Sequence, residues 1–187
     1  MRGFATGDAR RETHDFYPTP PAATHALLDV EAFDGPIWEP ACGDGAMARV
    51  LAERGHDVVA TDLIDRGFGE GGRDFLMEWQ SLAPNIVTNP PFRWAPQFVD
   101  RALLLTQGKV ALFLRLAFLE GRARAGLFAR TPLARVHVFS NRISFMKGEA
   151  ATRAEGGMVA FAWFVWEHGH VGPPTLNWIF ADHEAHP

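Results

Sequence analysis

The sequence predicts an α/β protein: a doubly wound, mostly parallel, Rossmann-like sheet with an antiparallel pair of strands at one edge. Short apolar runs alternate with helical stretches between residues 37 and 114, the pattern of strand–helix–strand units with right-handed crossovers. Later, two apolar runs at 135–140 and 158–166 are joined by a single loop, which suits an antiparallel pair.

In chain order, Thr19-Pro20-Pro21 reads as a helix start, with Thr19 capping and proline in the first turn, and the helix runs to about Val30. Ile37-Trp38-Glu39 is a short buried strand that enters a glycine-rich turn. Ala46 to Glu53 is a helix stopped at Gly55, and Val58 to Asp62 a second strand ending on an acid. A loop rich in glycine (67–72) precedes Asp74-Phe75-Leu76. Asn85 to Thr88 is a strand, Trp94 to Leu105 a helix and Val110 to Leu114 a strand. Gly121 to Arg130 is basic and helical, Arg135 to Ser140 a strand, and Met158 to Trp166 a run apolar enough for a buried strand. Lys147 to Gly157 is a loop.

The 187 residues suffice for one domain with one core, spanning 1–187 and preceded within it by a polar, flexible tail over 1–16. No apolar stretch approaches the ~20 residues of a membrane span, and the first residues lack the apolar segment of a signal peptide. One cysteine excludes an internal disulfide and fits a reducing cytoplasm. The net charge of −4 hides an asymmetry. Residues 1–108 carry nine Lys/Arg and sixteen Asp/Glu, whereas residues 109–153 carry nine Lys/Arg against Glu120 and Glu149 alone. Such a basic block suits a polyanion, although two solvated helices would also produce it.

Asn89-Pro90-Pro91-Phe92, closing the apolar run Ile86-Val87-Thr88, is the most informative feature. The Asn89 side-chain oxygen and the Pro90 carbonyl offer two acceptors to one exocyclic amine, and Phe92 offers a face on which a nucleobase stacks. Two acceptors on one amine draw its lone pair out of conjugation and leave it nucleophilic. That chemistry suits methylation of an amino group.

The second constellation is Glu39-Pro40-Ala41-Cys42-Gly43-Asp44-Gly45, at the first strand-to-helix turn, where open α/β sheets bind ligands. Asp62, at the end of the next strand, stands where such folds hold ribose hydroxyls. Gly43-x-Gly45-x-x-Ala48 also satisfies the loose dinucleotide fingerprint, and an NAD enzyme would use Asp62 the same way. Glu39 separates the two: it would repel a pyrophosphate but suits the ammonium and sulfonium of S-adenosylmethionine. With Asn89-Pro90-Pro91-Phe92 alongside, the methyl donor is the better reading.

Taken together, these motifs resemble the class I S-adenosylmethionine-dependent methyltransferases, and more narrowly the γ-order N6-adenine DNA methyltransferases of TaqI type. The resemblance implies that Tyr17, Thr19 and Pro20 close over the methionine end of the cofactor. It implies that Glu39, Ala41, Cys42 and Gly43 form the first cofactor motif and that Asp62 binds the ribose. Asp74 would take the adenine amino group of the cofactor with Phe75 beside its ring, and Asn89 would border the cofactor as well. Asn89, Pro90 and Phe92 would be catalytic on a flipped adenine, with Pro91, Phe92, Arg93 and Arg115 at the substrate. DNA, duplex or single-stranded, is then the partner, with a specificity subunit or a second copy as a further one. The sequence has no stretch for the separate target-recognition domain of the TaqI-like enzymes. Specificity is therefore expected from 93–97, 115–130 and 146–157 or from a partner, or else to be low, as in compact phage-type chains. RNA adenine and protein glutamine amide are the alternative substrates, and a non-catalytic cofactor-binding subunit is the alternative of another class.

Cys42 reads as a small turn residue rather than a nucleophile, and the tryptophans and phenylalanines as core. His168, His170, Asp182, His183 and His186 are spaced too loosely to predict a metal site. Arg115 suits either a phosphate or a pairing with Glu120.

Overall fold

The computed structural model describes residues 17–141, 143 and 159–181. The expected tail at 1–16, Arg142, the loop at 146–157 with Met158, and Asp182, His183 and His186 lie outside the described residues. Among the described residues there are seven strands: β1 (Ile37–Glu39), β2 (Val58–Ala60), β3 (Asn85–Thr88), β4 (Lys109–Arg115), β5 (Leu133–Phe139), β6 (Phe161–Glu167) and β7 (Thr175–Ile179). Four α-helices accompany them: α1 (Pro21–Leu28), α2 (Ala46–Glu53), α3 (Ala95–Leu105) and α4 (Arg122–Arg130). The strands form one sheet in the order β2-β1-β3-β4-β6-β5-β7, in which β6 runs against β4 and β5 and the other pairings are parallel.

This is the doubly wound, Rossmann-like architecture the sequence predicts, antiparallel pair included. The pair is not the edge, however. β6 slots between β4 and β5, and β7 adds itself in parallel outside β5. The β7 segment gave little signal because four of its five residues are exposed, so no burial imposes a clear alternation. By contrast, all but the last residue of β6 are buried, as a continuous apolar run requires of a central strand.

Alternate residues of each strand feed opposite faces of the sheet, which gives two apolar layers. On one face, Ala23 and Leu27 of α1 and Met47 and Leu51 of α2 pack with Ile37, Val87, Phe113 and Trp163. On the other, Phe98, Val99 and Ala102 of α3 pack with Trp38, Ile86, Leu112 and Phe164. Phe113 and Phe164 are fully buried, each contributing roughly 1.5–3 kcal/mol by area. The indole N–H groups keep partners: Trp38 donates to Thr61 Oγ1 (3.0 Å), Trp163 to the Ala23 carbonyl (2.8 Å) and Trp166 to Thr131 Oγ1 (3.1 Å). Trp163 thus fastens α1 to the sheet.

Helix boundaries shift in two informative places. Pro20, not Thr19, precedes α1, and no side chain caps that helix; the Thr19 hydroxyl is used elsewhere. Trp94 ends a short 3₁₀ turn (Phe92–Trp94) rather than beginning α3, and its N–H donates to the Pro91 carbonyl at 2.8 Å.

Below β4 and β5, at the end of the sheet opposite the Asn89 motif, a buried charge cluster closes the structure. Glu31 accepts from Lys109 Nζ (2.7 Å), from the Arg135 guanidinium and from His137 Nε2 (2.9 Å), and Arg135 also reaches Glu167 (2.6 Å). Burial alone would raise the Glu31 pKa, but these donors overcome it and hold it at about 2.

The same cluster revises the expected basic footprint. Lys109 and Arg135 neutralise Glu31, and Arg130 pairs with Asp100 at 2.6 Å. Arg124 caps the Ala117 and Glu120 carbonyls (both 2.7 Å). Among the described residues of the block, Arg115, Arg122 and Arg124 are the cations not paired to a carboxylate.

Candidate active site

A cleft of about 1130 Å³ opens at the carboxyl ends of β1, β2, β3 and β4, where parallel α/β sheets bind ligands. Its lining brings together Tyr17, Thr19, Glu39, Ala41, Cys42, Asp62, Asp74, Phe75, Asn89, Pro90, Pro91, Phe92, Arg93 and Arg115, residues drawn from both sequence constellations. Pro20 and Gly43 do not line it. Pro20 precedes α1, and Gly43 shapes the turn.

Asn89 follows β3 directly and its side chain is held by the N-terminal segment. Nδ2 donates to the Tyr17 carbonyl at 3.1 Å and to Thr19 Oγ1 at 3.0 Å. With both amide hydrogens engaged, the orientation of the amide is fixed and Oδ1 is left as the acceptor. The Thr-Pro segment therefore acts on this site through Asn89, and the buried Thr19 hydroxyl is a positioning group rather than a helix cap.

Glu39, the last residue of β1, is 2% exposed, and its Oε2 has no hydrogen-bond partner among the described residues. Burial pushes its pKa well up; the Ala48 backbone N–H, near the start of α2, partly offsets this, while Asp62 and Asp44 add to the rise. A buried carboxylate oxygen with no donor is a place for a cation, and it lines the cleft.

The glycine-rich turn is built for close approach. Gly43 and Gly45 have φ of 58° and 82°, a region L side chains avoid. A methyl group at Gly45 would collide with the Phe68 ring, which in turn lies under the Arg49 guanidinium (4.6 Å). Cys42 is buried, its Sγ 3.5 Å from the Phe68 carbonyl. Burial, with Glu39 and Asp62 nearby, lifts its pKa to about 12, so the thiol is inert as a nucleophile.

Asp62 lines the cleft but is already at work: Oδ2 accepts from Gly43 N–H and Oδ1 from Ile64 N–H, both at 2.8 Å. It ties the turn after β1 to the end of β2, and any ribose hydroxyl would share its remaining lone pairs. Asp74 is exposed and accepts from Leu76 N–H at 3.0 Å, opening a short 3₁₀ turn. Phe75 is mostly core, 5.2 Å edge-to-face from Trp38 and 4.8 Å from Phe98.

Phe92 is half-buried and leans on Phe161 (5.9 Å between centroids). Arg115, at the end of β4, sets its guanidinium 4.7 Å from the Phe92 centroid. Of the two roles open to Arg115 in the sequence, the pairing with Glu120 is not formed, and the guanidinium lies against Phe92 instead. Arg93 stands 5.2 Å from the Trp94 ring.

Sequence reasoning missed the apolar wall of the cleft: Leu63 and Ile64 after Asp62, and Met77 beyond Phe75. Two apolar residues directly after a strand-ending acid were the available signal. It missed Arg66 and Arg73 too; the Arg73 guanidinium is bound to Glu78 (2.8 Å) and Glu70 (3.1 Å).

No protein-family model matches the chain, and no curated protein matches it. Solved structures do. A structure described as the modification subunit of a type I restriction enzyme from Vibrio vulnificus YJ016 superposes with TM-score 0.59 at 14% identity, covering 95% of this chain and 50% of its own. This chain therefore spans about half the length of that subunit. Magnesium protoporphyrin IX methyltransferase from Synechocystis PCC 6803, with bound S-adenosylmethionine, gives TM-score 0.51 at 11% identity over 78% of this chain and 76% of its own. An S-adenosylmethionine-dependent O-methyltransferase from Thermotoga maritima gives 0.50 at 15%, over 81% and 66%. The chain has the Rossmann-like methyltransferase fold.

Proposed function

We propose that the chain is an S-adenosylmethionine-dependent methyltransferase acting on the N6 amino group of adenine in DNA. The observation that carries this reading is the Asn89 amide, whose nitrogen is pinned by Tyr17 and Thr19 so that its oxygen, beside Pro90, serves as an acceptor at the rim of the cleft. A hydroxyl or carboxyl substrate has no use for two acceptors; an exocyclic amine does. Among the similar folds, the Vibrio restriction-modification subunit agrees with a nucleic-acid substrate.

The cofactor fits the residues present. Glu39 supplies a buried carboxylate for its ammonium end, Asp62 a lone-pair surface for ribose, and Leu63, Ile64 and Met77 an apolar wall for its adenine. When bound, S-adenosylmethionine supplies an electrophilic methyl group. The chain's own part is positional. Asn89 Oδ1 and the Pro90 carbonyl accept from the N6 hydrogens and return the nitrogen lone pair to the amine. Phe92 holds the base plane. Extrusion of the adenine from a duplex costs a few kcal/mol, and orientation supplies most of the rate.

The test is transfer of labelled methyl from S-adenosylmethionine to duplex DNA, single-stranded DNA, RNA and protein, followed by digestion and identification of the product. N6-methyladenine in DNA, absent with Asn89→Ala, is the expected result. Label in RNA or protein alone would overturn the substrate.

A further inference from the structure

We propose that Arg115 is a displaceable cover on the Phe92 ring, which yields its place to the target base and moves to a nucleic-acid phosphate. The inference rests on the nucleic-acid reading above and deepens it.

The guanidinium carbon of Arg115 lies 4.7 Å from the Phe92 centroid, the geometry of a cation–π contact. A stacked base needs the layer directly against the ring, so a base and this guanidinium exclude one another on that face. The placement of Arg115 is set by the sheet. In the β4–β6 ladder Arg115 stands opposite Phe161, and both reach the same Phe92 ring, Phe161 at 5.9 Å. Phe161 is buried and packs parallel to Phe113 at 5.1 Å. Phe161 is therefore a fixed support and Arg115, exposed at the strand end, the movable partner.

Among the described residues, no side-chain hydrogen bond or ion pair holds Arg115 in place. Among the described residues it has no carboxylate partner, unlike Arg130 and Arg135, which are committed to Asp100 and to Glu31 and Glu167. An exposed cation–π contact is weak, worth a factor of about two to five in population. A phosphate outbids it readily, because guanidinium and phosphate form paired charge-assisted hydrogen bonds. The exchange makes base entry and backbone binding one event: the residue that leaves the ring is the residue that grips the strand.

The experiment compares the wild-type protein with Arg115→Ala and Arg115→Lys on long duplex DNA of mixed sequence. It measures affinity against salt and the single-turnover methylation rate at saturating DNA. For Arg115→Ala the expected result is about tenfold weaker binding, a salt slope smaller by about one, and a saturated rate that rises about two- to fivefold because the competitor for the ring is gone. Arg115→Lys should recover the salt slope, since an ammonium still binds phosphate but covers the ring poorly. A saturated rate that falls in Arg115→Ala with the salt slope intact would overturn the proposal, making Arg115 part of the stack instead. Unchanged affinity, slope and rate would overturn it equally. Wild-type activity separates the two levels: no transfer to any nucleic acid by the wild type removes the underlying reading, whereas transfer with an indifferent Arg115→Ala removes only this assignment.

Discussion

The amide of Asn89 and the hydroxyl of Thr19, seventy residues apart in sequence, meet at 3.0 Å. One belongs to the end of β3, the other to the segment that enters α1, and their contact fixes which atom of the amide serves as acceptor. Thr19→Val should therefore lower turnover about three- to tenfold, the worth of one neutral hydrogen bond, with little change in cofactor affinity. Asn89→Ala should cost at least ~100-fold, as loss of a preorganised polar group in a site does. Comparable kcat for the two variants and the wild type would remove Asn89 from the chemistry.

Glu39 should behave as a proton-linked cation site. Burial raises its pKa above the ordinary 4.5, so in the free protein ionisation is penalised as pH rises above that value. A bound cation favours the carboxylate, so below the raised pKa binding releases a proton and cofactor affinity falls as pH drops. Calorimetry in buffers of different ionisation enthalpy reads the proton directly. Glu39→Gln should weaken binding about 10- to 100-fold, the worth of a charged hydrogen bond, and should raise Tm at neutral pH by relieving the penalty. Proton-neutral binding by the wild type would count against the assignment.

The Glu31 cluster should govern acid stability. Its folded pKa of about 2 lies below the ordinary 4.5. The corresponding stabilisation, about 3 kcal/mol, is present above pH 4.5 and is lost as pH falls towards 2. Denaturant unfolding at pH 7 and pH 3 tests this. Glu31→Ala should cost about 3–5 kcal/mol at pH 7, since it strips Lys109 of its carboxylate and leaves Arg135 with Glu167 alone in a partly buried site, and should flatten the pH dependence.

Gly45→Ala should abolish cofactor binding, because the added methyl meets the Phe68 ring and the φ of 82° is strained for alanine. Phe68→Ala in the same chain removes the collision but not the strain. The double variant is expected to recover only part of the affinity in a fluorescence titration. Full recovery would mean that the backbone conformation of the turn does not matter.

Arg130 and Arg122 sit at opposite ends of α4 and should differ in DNA binding. Arg130 is held by Asp100 through two hydrogen bonds of 2.6 and 2.9 Å, whereas Arg122 has no carboxylate partner among the described residues. Arg122→Ala should reduce the salt slope and Arg130→Ala should not. The reverse order would place the polyanion on another face.

Much of the site was legible because its parts are local. Asn89-Pro90-Pro91-Phe92 and Glu39 to Gly45 each sit within a few residues of a strand end, and the alternation of strands and helices puts strand ends together. What could not be read were long-range engagements. Nothing near Thr19 shows that its hydroxyl goes to Asn89 rather than to a helix cap. The charge block looked uniformly basic because Glu31, Asp100 and Glu167, which neutralise Lys109, Arg130 and Arg135, lie outside it in sequence. β7 escaped because exposure, not burial, dominates its residues.

The insertion of β6 between β4 and β5 carries a consequence for how the molecule is made. During synthesis β4 and β5 emerge first, each with an open edge facing a gap that only residues 161–167 can fill. Until then two bare edges of apolar strand are exposed to mispairing. Phe161, against which Phe92 rests, arrives with that same strand. The Phe92 ring therefore gains this support only once β6 is in place, and a nascent chain halted before residue 161 would carry every residue of the Asn89 motif without it.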